Sequence, residues 1–215
     1  MKKKKITIID FGVGNLLSLK RAFENVGAEV MITNEQKKII NSSYIVLPGV
    51  GAFQNAMKSI INLKLVDCIK SVADKKLPLL GICLGAQLLL QKSEEFGTTD
   101  GLGIIKGAVK PINSFNIIKK KIIIPHIGWA NIVSTNDVKN KNNLLFKDLS
   151  KDDFFYFVHS YVSKPLMKGQ ILYKTNYEDI DITAIHGTDN VYGFQFHPEK
   201  SGLSGLKLLK NFLLL

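Results

Sequence analysis

The sequence predicts an α/β fold: a central, largely parallel sheet flanked by helices, with antiparallel strands added from the C-terminal half, in a single domain over residues 5–214. Three observations predict it. Short apolar runs alternate with segments of helical period through the first half, as in successive strand–helix units. Strands there end in glycine-rich turns. The second half turns instead to closely spaced strands separated by Gly-, Asn- and Lys-rich turns. A chain of 215 residues is long enough for one full hydrophobic core, and no composition shift or internal repeat marks a linker.

The elements follow in order. Lys5 to Asp10 reads as a buried strand ending at Gly12-Val13-Gly14. A helix follows from Asn15 to Val26, with Leu16, Leu19, Ala22, Phe23 and Val26 at helical spacing and Gly27 as its stop. Ala28 to Thr33 and Tyr44 to Leu47 are strands, the latter running into Pro48-Gly49-Val50-Gly51. Phe53 to Ala73 is helical with a break near Asn62. Leu77 to Ile82 is a strand and Leu84 to Glu95 a helix. Strands are then expected over Lys121–Ile124, Asn131–Ser134, Phe154–Tyr161, Gln170–Thr175, Ile182–His186 and Val191–Phe196, and a closing helix over Leu203–Leu214.

Composition excludes several classes. Hydrophobic residues make up 46% and charged residues 22%, ordinary for a globular protein. No run approaches the about 18 apolar residues of a membrane span, and the start, Lys2 to Lys5 and then a strand, lacks a signal peptide's apolar stretch and cleavage site. Two cysteines make no disulfide framework. A cytoplasmic protein is expected. The formal charge of +11 raises nucleic acid as a partner, but Arg21 is the only arginine and the lysines are spread along the chain. A solvated lysine-rich surface is the reading taken, with no nucleic acid and no membrane as partner.

The chemistry concentrates in "LPLLGICLGAQLLL", Leu77 to Leu90. Cys83 stands where a strand gives way to a helix, between Gly81 and Gly85. That is the G-x-nucleophile-x-G pattern of a nucleophile elbow, with sulfur for oxygen. Such a turn needs small neighbours and lifts its side chain above the carboxyl ends of the strands, where open α/β sheets hold ligands. A helix start supplies positive potential, which favours a thiolate, and the Leu84 N–H is placed to stabilise an oxyanion. Read alone, the five residues also fit a buried structural cysteine.

A cysteine nucleophile needs a base. Of His126, His159, His186 and His197, the last stands in "GFQFHPEKS", with Glu199 two residues on. In an extended segment the two side chains project to one side, so the carboxylate can orient the ring. A surface turn without a role is the alternative. Pro48-Gly49-Val50-Gly51, after a buried strand, fits an anion nest or a plain tight turn equally.

Together "GICLGAQLL", "PGVGAF" and "QFHPEKS" resemble the class I glutamine amidotransferases. "IIDFGVGNLLSLKRAF", "PHIGW" and "FYFVHSY" narrow the resemblance to the glutaminase subunits of imidazole glycerol phosphate synthases, over nearly the whole chain. The resemblance implies the single-domain class I amidotransferase fold. It implies glutamine hydrolysis through a thioester on Cys83, with His197 as base and acid and Glu199 orienting it. It places the oxyanion hole at the Val50 and Leu84 N–H groups. It places glutamine contacts at Gly51, Gln87, Ser160, Tyr161 and Pro198, and a subunit interface at Asn15 and Trp129. The partner it implies is a (β/α)8 barrel cyclase in a heterodimer, which uses the ammonia to make imidazole glycerol phosphate and an aminoimidazole carboxamide ribotide in histidine biosynthesis. No cofactor is implied, and no metal.

Two positions depart from the family's pattern. Gly128-Trp129-Ala130-Asn131 replaces the usual Gly-Trp-Asn, in an expected partner-facing loop, and Gly85-Ala86-Gln87 replaces Gly-Met-Gln. The first leaves open a different barrel synthase, such as one amidating a surface sugar. A non-catalytic module of the same fold is the other alternative, although all three triad residues are present. Cys68 reads as helix core, His159 as hydrogen-bonded near the glutamine site, His186 as structural or exposed, and His126 as either partner-facing or a polar loop residue. None has metal-ligand spacing.

Overall fold

The computed structural model describes residues 3–115, 118–135 and 144–215. Strand β1 (Lys5–Ile9) leads into helix α1 (Leu16–Asn25), whose first turn is capped by Asn15: its Oδ1 accepts the Ser18 N–H at 3.3 Å. Then come β2 (Glu29–Thr33), a short α2 (Gln36–Ile40), β3 (Tyr44–Leu47), α3 (Phe53–Asn62), α4 (Val66–Asp74), β4 (Leu79–Ile82) and α5 (Leu84–Leu88). The chain continues through β5 (Leu90–Ser93), β6 (Thr99–Asp100), β7 (Ile105–Pro111), β8 (His126–Asn131), β9 (Val133–Ser134), β10 (Phe154–His159) and β11 (Tyr161–Pro165). Strands β12 (Ile171–Tyr177), β13 (Ile180–Thr188) and β14 (Val191–Phe194) precede helix α6 (Gly202–Phe212).

The main sheet has eight strands in the order β2-β1-β3-β4-β14-β13-β12-β9. The first five run parallel, and β13, β12 and β9 are antiparallel additions. Its centre is buried on both faces, which is why β3 and β4 are apolar throughout rather than alternating. The period of two divides them between two cores. Tyr44 and Val46 face Phe23 of α1 and Phe212 of α6, while Ile45 and Leu47 face Phe53, Ile60 and Ile69 of α3 and α4. Cys68 lies in this second core, its thiol 3.8 Å from the Gln36 carbonyl.

The second half departs from the expected single sheet. A two-stranded ribbon, β10-β8, and a four-stranded sheet, β11-β7-β5-β6, stand apart from the main one. The expected strand at Phe154–Tyr161 breaks at Ser160 and feeds both of them. The expected helix from Leu84 to Glu95 ends at Leu88, because the next carbonyls are taken from outside. Leu88, Leu89 and Leu90 accept from Leu102 (2.9 Å), Ile105 (2.9 Å) and Gly103 (3.0 Å), which draws the chain into β5. The stretch expected as a strand at Lys121–Ile124 forms only an isolated bridge from Lys121 to Phe115. Ala130 lies in β8 and packs against the first core, not in a loop. Among the described residues, no helix is long and apolar enough to cross a membrane.

Candidate active site

Cys83 stands at the carboxyl end of β4 with φ 52° and ψ −108°, a conformation non-glycine residues rarely adopt and one that costs about 1–3 kcal/mol. Two hydrogen bonds hold it there: its N–H donates to the Phe194 carbonyl at 2.7 Å, and its carbonyl accepts the Gln87 N–H at 3.2 Å. The flanking glycines are a steric requirement. A Cβ on Gly85 would lie 1.8 Å from the Leu47 carbonyl oxygen, and one on Gly81 2.7 Å from the Gly85 oxygen. Residue 86 is also fully buried, so its alanine is part of this close packing of α5 on the sheet.

The imidazole arrives from the far end of the chain. The N–H of His197 donates to the Tyr156 carbonyl at 2.9 Å, tying the segment after β14 to β10. Ser201 fastens the same corner twice, donating its hydroxyl to the His197 carbonyl at 2.6 Å and accepting the Tyr156 N–H at 3.0 Å. Nδ1 of His197 lies 2.8 Å from Glu199 Oε1, with both side chains 4% exposed. The extended His197–Glu199 segment expected from sequence is instead a 3-10 turn over Pro198–Lys200, which folds the carboxylate back onto the ring. Burial opposes charge on His197, but hydrogen bonds to the Cys83 sulfur and to Glu199, and the charge of both, push its pKa up to about 10.

Cys83 and His197 line a cavity of about 480 Å³ together with Val50, Gly51, Leu84, Gln87, Ser160 and Tyr161. Residues from four separate sequence regions therefore meet at one opening, wide enough for a free amino acid. Glu199 stands behind His197. Pro198 does not line the cavity: it opens the 3-10 turn and packs beneath α6, its carbonyl oxygen 1.9 Å from where a Cβ on Gly205 would be. Asn15 is exposed at the α1 start, and Gly14 beside it abuts Pro48 of the turn before Val50. Trp129 is 57% exposed on the outer face of β8, 5.9 Å from the Tyr156 ring.

The other histidines sort by burial. His126 is neither partner-facing nor in a loop: it is 3% exposed, stacked between Phe157 and Tyr177. Burial pushes its pKa down to about 4. His159 lines the cavity and is pushed down to about 3, by burial and by its neighbour His126. His186 is buried, which lowers it to about 4. Two residues escaped sequence reasoning. Glu95 lines the cavity and accepts the Phe53 N–H at the start of α3 at 2.6 Å. It was hidden inside the helix expected there. Gln195, whose Nε2 lies 4.0 Å from the Cys83 sulfur, opens the "QFHPEKS" stretch, but nothing in the sequence assigned it a role. Among the described residues, no cluster of His, Cys, Asp and Glu is arranged to hold a metal ion.

The family described as "Glutamine amidotransferase class-I" matches residues 7–215. The chain is 41% identical over 208 residues to "Imidazole glycerol phosphate synthase subunit HisH 1" of Legionella pneumophila (strain Lens), covering 97% of this chain and 98% of the relative. It is 44% identical over 209 residues to "Imidazole glycerol phosphate synthase subunit HisH" of Aquifex aeolicus (strain VF5), covering 97% and 95%. The protein of that name from Methanosarcina acetivorans is 42% identical over 210 residues, covering 98% of each chain. Among solved structures, PurLQS from Thermotoga maritima superposes with a TM-score of 0.72 at 18% identity, covering 99% of both chains. The glutaminase domain of Trypanosoma brucei CTPS superposes with a TM-score of 0.65 at 16% identity, covering 99% and 92%. These two show a shared fold.

Proposed function

Because this chain belongs to the class I glutamine amidotransferases, we propose that it is the glutaminase subunit of an imidazole glycerol phosphate synthase and that Cys83, His197 and Glu199 carry the hydrolysis. The observation that carries the assignment of residues is the meeting of a strained, elbow-borne thiol with a carboxylate-held imidazole at one cavity.

The steps follow from that geometry. His197 enters as an imidazolium, its pKa raised to about 10, and the nucleophile is the Cys83 sulfur, which attacks in its thiolate form. The sulfur attacks the side-chain amide carbon of glutamine, and the carbonyl π electrons move onto oxygen. That oxyanion is stabilised by the backbone N–H groups of Val50 and Leu84, two residues that line the cavity. His197 gives its proton to the departing nitrogen, the C–N bond breaks, and ammonia leaves a glutamyl thioester. Water then attacks the thioester, with His197 taking its proton. Glutamate leaves and the thiolate returns. Glu199 keeps the ring in the tautomer and orientation that both steps need. Gly51, Gln87, Ser160 and Tyr161 hold the substrate amino acid, joined by Glu95, whose carboxylate suits an α-ammonium group.

The partner is a (β/α)8 barrel cyclase that takes up the ammonia to form imidazole glycerol phosphate and an aminoimidazole carboxamide ribotide. What supports a docking surface is the outer face of the β8–β10 ribbon. Ile127, Trp129 and Phe154 are each about half exposed there, with Tyr156 and Val158 between them. Exposed apolar side chains clustered on one ribbon mark an interaction site. Tyr156 also carries the carbonyl that holds His197, so the ribbon adjoins the triad. The proposed compartment is the cytoplasm.

The test is glutamine-dependent ammonia release by the chain with and without its co-purifying partner. Turnover that depends on the partner and vanishes in Cys83→Ala, with an unchanged circular dichroism spectrum, is expected. A Cys83→Ala protein releasing ammonia at the wild-type rate would overturn the assignment.

A further inference from the structure

Behind the thiol runs a buried chain of amides and imidazoles whose directions are fixed by the donors and acceptors available. Gln195 is 1% exposed. Its Oε1 accepts from Gln87 Nε2 at 3.1 Å, and its own Nε2 lies 4.0 Å from Cys83 Sγ, the long end of the range for a bond to sulfur. Gln87 Nε2 also donates to the Tyr161 carbonyl, at 2.9 Å, so both of its hydrogens are spent. A flipped Gln195 would set two NH2 groups against each other, so its oxygen faces Gln87 and its NH2 faces the sulfur.

The Tyr161 carbonyl is itself shared. His159 Nδ1–H donates to it at 2.9 Å, which leaves His159 Nε2 as an acceptor, 3.1 Å from His126 Nδ1. His126 must then carry its proton on Nδ1. The depressed pKa values of both rings keep them neutral and preserve this polarity. Each member thus has one orientation, anchored at β8 and ending at the nucleophile.

We propose that Gln195 is a positioning residue of the active site: its carboxamide N–H steadies the Cys83 sulfur toward His197, and its oxygen locks Gln87 against the cavity. The role in turnover rests on the glutaminase reading, whereas the contact with the sulfur does not. A carboxamide donor favours a negatively charged sulfur, so its loss lowers reactivity without moving the backbone. Hydrogen bonds to charged groups carry about a tenfold to hundredfold effect.

The experiment compares wild type with Gln195→Met, similar in length but without a donor, and Gln195→Glu, the same shape with a carboxylate toward the sulfur. Each is measured in the partner complex for kcat and KM for glutamine, for alkylation of Cys83 by iodoacetamide at neutral pH, and for thermal midpoint. The expected alkylation order is wild type, then Gln195→Met about tenfold slower, then Gln195→Glu slower still. The kcat falls in the same order; KM changes by less than about threefold in Gln195→Glu, which keeps an oxygen for Gln87, and rises further in Gln195→Met, which removes it. A packing role predicts slowing that tracks the loss of thermal midpoint, whichever side chain is present. If either variant fails to fold, Gln195→Asn takes its place, since its amide stops one methylene short and slows alkylation for the same reason. Alkylation equal to wild type in folded variants, or slowing that follows melting alone, would overturn the proposal. Absence of ammonia release by wild type would instead sink the glutaminase reading and leave the alkylation comparison to decide Gln195.

Discussion

The two sides of the candidate site are built by different forces. Cys83 is placed by sterics. Gly81 and Gly85 allow α5 to press onto β3 and β4, and within that packing two backbone hydrogen bonds hold Cys83 in its positive-φ turn. His197 is placed by polar bonds: the distant Tyr156 carbonyl and, just along the chain, the Ser201 hydroxyl and the Glu199 carboxylate. A close-packed contact fails abruptly when volume is added, whereas a hydrogen-bonded corner weakens by increments. The nucleophile side should therefore be intolerant of substitution, and the base side graded.

The largest effect tests that difference on the nucleophile side. Gly85→Ala puts a methyl carbon into the Leu47 carbonyl, so either the elbow opens or the helix lifts. Loss of ammonia release of at least about a thousandfold, or failure to accumulate as folded protein, is expected. Near-normal turnover would show that the elbow is softer than its packing implies.

On the base side the expected effect is smaller. Ser201→Ala leaves the Tyr156 N–H and the His197 carbonyl without their hydroxyl partner. A stability loss of about 1–3 kcal/mol in urea unfolding, with measurable residual turnover, is the expected outcome. A collapse as complete as that of Gly85→Ala would erase the contrast between the two sides.

The same division explains what was legible in the sequence. The elbow could be read because its signature is local, two glycines around a cysteine at a strand end, even though the carbonyl that excludes a side chain at Gly85 belongs to the distant Leu47. The inner parallel strands β1, β3, β4 and β14 were equally plain, since a strand buried on both faces is a continuous apolar run. The helix expected through Glu95 failed because Leu88, Leu89 and Leu90 lend their carbonyls to Leu102, Gly103 and Ile105, a tertiary pairing that overrides an apolar run fitting either structure. That error hid Glu95. His126 was misread because its burial depends on Phe157 and Tyr177, each far along the chain. Gln195 was illegible for the same reason: its meaning lies in Gln87 and Cys83, which are 108 and 112 residues away.

The central claim is that Cys83, His197 and Glu199 form one electrostatic unit, and an NMR titration of the His197 ring tests it most directly. The pKa is raised above the ordinary value of 6.5 to about 10, so the ring should stay protonated through neutral pH and lose its proton only as pH rises through about 10. In Cys83→Ala the midpoint should move down, because the sulfur's hydrogen bond and charge are gone while burial remains. A His197 that titrates near 6.5 in the wild type, and is unmoved by removing the sulfur, would contradict the account.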